Sequence, residues 1–316
     1  MALTLNSKFW SGSAGGGGLP QATNYGFACG GYNWPTTYNY IQRFSLASDG
    51  DGTDVGDLTS DIYQSAGQSS TTDGYSSGGS PTTNVIDKFS FSSTGDATDN
   101  GDLSTARSAG AGASSDSHGY TSCGHEGSGV YGKIIDKFSF SSGSQDASSV
   151  GNAVEDSSYA AGQQSSSDGY ISCGITDDYS VYTNMLQRFS FASDGDASDL
   201  ANMTISALGV MGQFSTTHGY QTGGRNGTTV YLDINKFSFA STSDATDIGD
   251  LTLARHIGSG ASSDVSGYSA GGASGSWIYT FYDRIDKFSF SSGSQDASDV
   301  GNLAYSIGHT NSGNQY

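Results

Sequence analysis

The chain has 316 residues, 34% of them hydrophobic, with 47 glycines, 3 prolines and a formal net charge of −19 at neutral pH. So acidic a composition excludes recognition of a nucleic-acid backbone, which needs clustered Lys and Arg. Gly and Ser richness alone fits low-complexity sequence, but an internal repeat overrules that reading.

At the N-terminus, Met1-Ala2-Leu3-Thr4-Leu5 lacks the basic and apolar regions of a signal peptide, and no apolar run reaches the length of a membrane span. The expectation is a protein without membrane insertion and not exported by a cleaved signal. Residues 1–20 read as a Gly-rich arm, and residues 21–316 as one repeat domain. There a phrase like Ile-Asp-Lys-Phe-Ser-Phe recurs six times, anchored at Phe44, Phe89, Phe138, Phe189, Phe237 and Phe288. A period of this length belongs to propellers and arrays. Two more phrases keep step with it. A Gly-Tyr phrase has its aromatic at Phe27, Tyr75, Tyr120, Tyr170, Tyr220 and Tyr268, and a Gly-Asp-Leu-Thr-like phrase has its apolar residue at Leu58, Leu103, Ala153, Met203, Leu251 and Leu303.

Residues 103–152 illustrate one unit. The small residues 108–118 suit a strand A pressed against its neighbours, 119–124 a strand B, 135–140 a strand C of clear β propensity, and 149–154 a short strand D. Four antiparallel strands make a blade, and six copies predict an all-β, six-bladed β-propeller. Alternation in strand C exposes both of its faces to neighbouring blades. The anchor phenylalanines are therefore structural. So are the basic residues just before them, Arg43, Lys88, Lys137, Arg188, Lys236 and Lys287, each expected to pair with an Asp of a C–D turn or strand D. Cys29, Cys123 and Cys173 read as equivalents at one repeat position of the Gly-Tyr phrase, hence as small buried residues and not a disulfide or zinc framework.

Residues 306–316 look like a spare strand A, favoured to close the ring on the first blade; the competing arrangement keeps the N-terminal segment there. A slower period is also visible. The run at 135–148 is repeated identically at 285–298, and blades one and four share Gln-Arg-Phe-Ser, so the ring reads as a three-blade module doubled.

Spacing between strands B and C varies most, and these B–C loops hold many aromatics. The candidate binding residues are Tyr32, Trp34, Tyr38, Tyr40, Tyr179, Tyr182, Trp277, Tyr279, Phe281 and Tyr282. Loops on a rigid scaffold carry recognition, and Tyr or Trp suits protein docking or stacking on sugar rings. The acidic C–D turns, above all 49–57, admit calcium as the one cofactor worth considering, although Asp and Gly are ordinary turn residues. No metal is assigned. The five histidines form no short-spaced ligand motif, and no nucleophile elbow or phosphate loop occurs. The expectation is a protein that is not an enzyme.

The unit resembles a kelch repeat: a small-residue strand, a Gly-Gly doublet ending the second strand, an aromatic third strand, then a short strand followed by Ala-Arg, as in Leu103-Ser104-Thr105-Ala106-Arg107. Asp-Lys-Phe-Ser-Phe followed by Asp-Ala-Thr-Asp and Gly-Asp-Leu-Thr is also similar to repeat proteins of tailed phages of marine bacteria, cyanophages among them. That resemblance implies a non-enzymatic virion structural protein, a capsid decoration or tail-associated disc, located in the virion and contacting other virion proteins. A host-surface glycan is the second partner considered, for a carbohydrate-binding adhesin using the same loops.

Overall fold

The computed structural model describes residues 24–127, 129–141, 146–176, 181–276, 279–291 and 296–309, and the backbone of a strand at Ser312–Gln315. The sequence-derived arm, residues 1–20, lies outside the described residues. The architecture is all-β: six four-stranded antiparallel blades in a propeller, with no helix among the described residues. Blade two shows the plan, with Ala66–Ser69, Asp73–Gly79, Thr83–Ser90 and Thr98–Asp102 as strands A to D. In the specimen unit the strands are Ala111–Ser114, His118–Ser122, Ile134–Ser139 and Ser148–Asn152, so the small-residue stretch forms a shorter strand than its composition suggests. The first blade takes strands B to D from Tyr25–Asn33, Thr36–Ser45 and Thr53–Asp57, and its strand A from the far end of the chain. There Ser312–Gln315 pairs antiparallel with the segment from Gly26 to Cys29.

Every interface between blades repeats one aromatic contact. The strand-B aromatic packs against the strand-C phenylalanines of the next blade: Tyr75 lies 5.4 Å from Phe138 and stacks on Phe140 at 4.9 Å, and Tyr120, Tyr170 and Tyr220 do the same one blade further on. Phe27 meets Phe89 and Phe91 in this way. At the closing interface Tyr268 meets Phe44 at 6.1 Å and donates its hydroxyl to the carbonyl of Leu46, which stands where a second Phe would be. The Gly before each of these aromatics is required because the cross-strand Phe of its own blade lies on it: a Cβ on Gly119 would overlap the Phe138 ring. Burying these large aromatics stabilises each interface, together with the buried Ile and Leu residues around them.

The end of strand B carries a bulge whose residue has φ near +60°: Gly30, Gly78, Cys123, Cys173, Gly223 and Gly271. Cys123 and Cys173 thus occupy a position that four glycines hold elsewhere. Cys29 is one residue earlier, so the expectation of a single repeat position for the three thiols fails there. All three are fully buried. The bulge swings the following N–H out of its own sheet toward the linker that leads into the next blade. Gly79 N donates to the Arg107 carbonyl at 2.9 Å, Gly124 N to Ser157 at 2.7 Å and Gly272 N to Ile307 at 2.9 Å.

The acidic C–D turns are engaged in the same fashion. Asp51, Asp96, Asp146, Asp196, Asp244 and Asp296 each accept, through Oδ1, a backbone N–H from strand D of the preceding blade at 2.9–3.1 Å. Among the described residues no group of three or more His, Cys, Asp or Glu is placed to hold a metal ion. Of the basic residues, Lys137 and Lys287 reach Asp194 and Asp49 on the next blade's C–D turn, both at 3.0 Å. Lys88 instead pairs with Asp73 of its own blade at 3.4 Å, Arg43 lies over the Tyr25 ring and Lys236 over that of Tyr220.

Candidate binding site at the axial mouth

Strands A and C run one way and B and D the other, so the B–C loops and the D–A linkers share one face of the disc, and the acidic A–B and C–D turns share the opposite one. The axis itself is pinched. Gly67, Gly112, Gly162, Gly212 and Gly260 line it, and a Cβ on Gly162 would overlap the Gly112 carbonyl. The cavities along it are about 40 Å³ each, room for roughly one or two water molecules. Glycines at these positions let the inner strands approach this closely.

Where the axis opens on the loop face, six equivalent linker residues meet: Gln64, Ala109, Tyr159, Gly209, Ile257 and His309, all with φ between 55° and 66°. Their backbones link blade to blade. Gln64 N donates to the His309 carbonyl at 2.6 Å, Ala109 N to Gln64 at 2.7 Å, Tyr159 N to Ala109 at 2.8 Å, Gly209 N to Tyr159 at 2.9 Å and Ile257 N to Gly209 at 2.6 Å. Five of the six are not glycine, and Ile257 is β-branched. A left-handed backbone costs such residues on the order of 1 kcal/mol or more each, a cost that glycine would remove. Side chains are therefore retained at the mouth against a conformational penalty.

These side chains plug the opening. The Gln64 amide nitrogen donates to Tyr159 Oη at 2.7 Å and contacts His309 Nδ1 at 2.9 Å, bridging three linkers. As acceptor at Nδ1, a neutral His309 carries its proton on Nε2. Aromatic rings surround it: Tyr63 at 5.6 Å, Tyr279 at 5.8 Å and Tyr32 at 6.0 Å. Tyr32 stacks on Tyr63 and meets Trp34 and Phe281 edge-on. Behind Tyr279 lies His256, 1% exposed, with Nε2 near the Gly275 carbonyl at 3.1 Å. Burial pushes His256 down to about 4 and His309 down to about 3, with the Arg225 guanidinium adding repulsion to both. Both imidazoles are neutral at pH 7, able to hydrogen-bond but carrying no charge.

Of the ten sequence-derived binding residues, Tyr32, Trp34, Tyr279 and Phe281 converge here, and Trp34 is 77% exposed. The cluster expected over residues 32–40 is split. Tyr38 and Tyr40 stack at 4.9 Å and continue onto Tyr305 at 4.4 Å, with Tyr38 packed against the core between blades six and one. Period-two alternation past the hairpin turn puts them on a blade flank and not at the mouth. Tyr182 joins a small apolar cluster with Tyr131, Tyr159, Ile175 and Leu208, and Tyr282 bonds Ser274 at 2.8 Å. Tyr179 and Trp277 lie outside the described residues. Sequence reasoning missed Tyr63, Gln64, Tyr159, His256 and His309. Their signal was available: Gln64, Tyr159 and His309 lie six residues after the strand-D apolar landmark, a position whose side chains vary in an otherwise monotonous repeat.

A solved structure, that of YjhT, matches this chain with a TM-score of 0.64 and 12% sequence identity, over 78% of this chain and 86% of that one. This likeness shows the fold alone. No protein-family model matches the chain, and no curated protein sequence does.

Proposed function

We propose that the chain is a non-enzymatic attachment module, a propeller disc of a tailed-phage virion that binds through the axial mouth and its aromatic rim. The observation that carries this reading is the mouth itself: a strained ring of linker residues keeps varied side chains instead of glycine, beneath an exposed Trp34 and a fan of tyrosines. Aromatic groups with polar edges and no formal charge suit a protein partner or the flat face of a sugar ring. The virion assignment is supported by the phage-like diction of the repeat, and attachment to other virion proteins would use one face of a disc whose other face is acidic. In purified particles the protein is expected as a multicopy component, at the surface or on the tail. Its consistent absence from particles would refute the virion reading.

A second reading, a carbohydrate-binding adhesin, is favoured by the stacked pair Tyr32–Tyr63 beside Trp34. A glycan array should then give saturable signals that Trp34→Ala and Tyr279→Ala reduce at least about tenfold. Signals unaffected by both substitutions would exclude the mouth as the glycan site.

A further inference from the structure

Two residues before its anchor Phe, each strand C carries a polar side chain: Gln42, Asp87, Asp136, Gln187, Asn235 and Asp286, none more than 1% exposed. Each accepts a hydrogen bond from the linker leading into its blade. Asp136 takes Ser104 N and Oγ at 2.9 and 2.7 Å, Asp286 takes Thr252 N and Oγ1 at 3.0 and 2.6 Å, and Asp87 takes Thr59 N and Oγ1 at 3.2 and 2.6 Å. Gln42 and Gln187 accept backbone N–H groups of Tyr305 and Val154, and Asn235 accepts the Thr204 hydroxyl.

Charge balance is set by a second linker residue, four positions after the strand-D landmark. Facing Asp136 it is Arg107, 3.0 Å away, and facing Asp286 it is Arg255, 2.7 Å away. Facing the neutral Gln42, Gln187 and Asn235 it is Ile307, Ser157 and Ala207. In five of the six blades the charges therefore match. Asp87 is the exception: its linker residue is Ile62, and among the described residues no cation forms an ion pair with it. Asn235, its counterpart in the doubled three-blade module, is the uncharged near-isostere.

Ile62 takes the first part of the route that the arginines follow. A Cβ on Gly79 would meet Ile62 Cδ1 at 3.3 Å, just as one on Gly124 would meet Arg107 Cδ at 3.2 Å and one on Gly272 would meet Arg255 Cδ at 3.4 Å. Isoleucine stops there, short of a guanidinium. The acceptors are kept: Arg107 and Arg255 also donate to the carbonyls of Thr121 and Ser269, and Ser76 holds the same place, paired with Asp87 as those residues pair with Asp136 and Asp286. Above Asp87 lies a pocket of about 280 Å³ on the loop face, with Ile62, Pro81 and Val85 as apolar walls and Thr82 and Thr83 among its polar groups. Burial holds the Asp87 carboxyl above its usual range, the expected state of a carboxylate without a counter-ion.

We propose that this pocket is a socket for a guanidinium or alkylammonium group supplied from outside the chain, which docks on Asp87 where Arg107 and Arg255 dock in blades three and six. The apolar walls suit the stem of such a ligand and the carboxylate its head. A net charge of −19 draws cations toward the surface. The proposal does not depend on what binds at the axial mouth.

The test is calorimetric titration of the full chain with agmatine, a free guanidinium on an alkyl stem, and with the amidated tripeptide Ala-Arg-Ala. Saturable one-to-one binding of agmatine is expected. Binding of the tripeptide as well identifies an arginine of a partner polypeptide as the source, whereas agmatine alone points to a small free cation. Asp87→Asn, which copies Asn235, should weaken binding at least about tenfold. Ile62→Arg should abolish it by filling the socket from within, and should raise the unfolding temperature. If Ile62→Arg does not fold, Asp87→Asn decides. No saturable binding of either probe, or binding that Asp87→Asn leaves unchanged, overturns the proposal.

Discussion

Replacing Arg255 by Met tests the charge matching at its most buried point. Arg255 and Asp286 are both fully buried, joined at 2.7 Å, and Arg255 also donates to the Ser269 carbonyl at 2.8 Å. Methionine keeps an unbranched stem of similar bulk, so little packing is lost. What remains is a carboxylate at zero exposure whose hydrogen bonds among the described residues come from Thr252, and stranding such a group costs about 3–5 kcal/mol. At the few degrees per kcal/mol expected for a large domain, the midpoint should fall by on the order of 10 °C. Adding Asp286→Asn recreates the neutral arrangement of Ala207 and Asn235 in blade five. Because a buried ion pair and its apolar replacement are nearly isoenergetic, the double variant should lie within about 1–2 kcal/mol of the parent. Equilibrium urea unfolding of all four proteins of the cycle measures the coupling, expected to be at least about 3 kcal/mol because each single variant strands a buried charge that the double variant does not. A double variant destabilised by the sum of the two single variants would show that the charges are not coupled, and the explanation of Asp87 would fall with it.

Acid should weaken the axial mouth through its histidines. A folded-state value of about 4 for His256, against an ordinary 6.5, means that the unfolded chain takes up the proton first, so this contribution to stability is full above about pH 6.5 and is lost as the pH falls toward 4. The window corresponds to at most about 3 kcal/mol, and His256→Gln should flatten the slope of stability against pH there; an unchanged slope would remove His256 as its cause. The thiols should be inert in the folded protein, since burial pushes Cys123 up to about 11 and Cys173 up to about 12. Ellman's reagent at pH 8 should find no reactive thiol until denaturant is added, and rapid native reaction would contradict the bulge geometry. Truncating Tyr120, which is 1% exposed and packs on Phe189 and Phe191, to Ala should cost about 3–5 kcal/mol; a loss below about 1 kcal/mol would refute the aromatic contact as a stabilising blade-to-blade bond. Gly162→Ala should be worse than its single methyl suggests, because the backbone of Gly112 cannot retreat, and a folded variant of normal stability would mean that the axis is wider than described.

The regular parts of this molecule were legible because their causes are local. Alternation around Phe138 and the six-fold count encode strand and blade number within a few residues of each other, so the all-β six-bladed fold could be read from the sequence. The doubling of a three-blade module was legible too, and the buried strand-C position repeats it, with Gln42 matching Gln187, Asp136 matching Asp286 and Asp87 matching Asn235. The grouping of the loop aromatics was not legible. Tyr38 and Tyr40 follow Tyr32 closely in sequence, yet strand pairing sends them to a flank, while Tyr32 meets Phe281 and His309 from the other end of the chain.

What the chain by itself determines is therefore the blade and the number of blades, because each blade is specified by contacts within its own period. What only the tertiary structure decides is the mouth and the socket. Gln64 touches His309 across 245 residues because ring closure brings the first and last linkers together. Asp87 stands out only when its surroundings are laid over those of Asp136 and Asp286, since a missing counter-ion is a property of space and not of spacing.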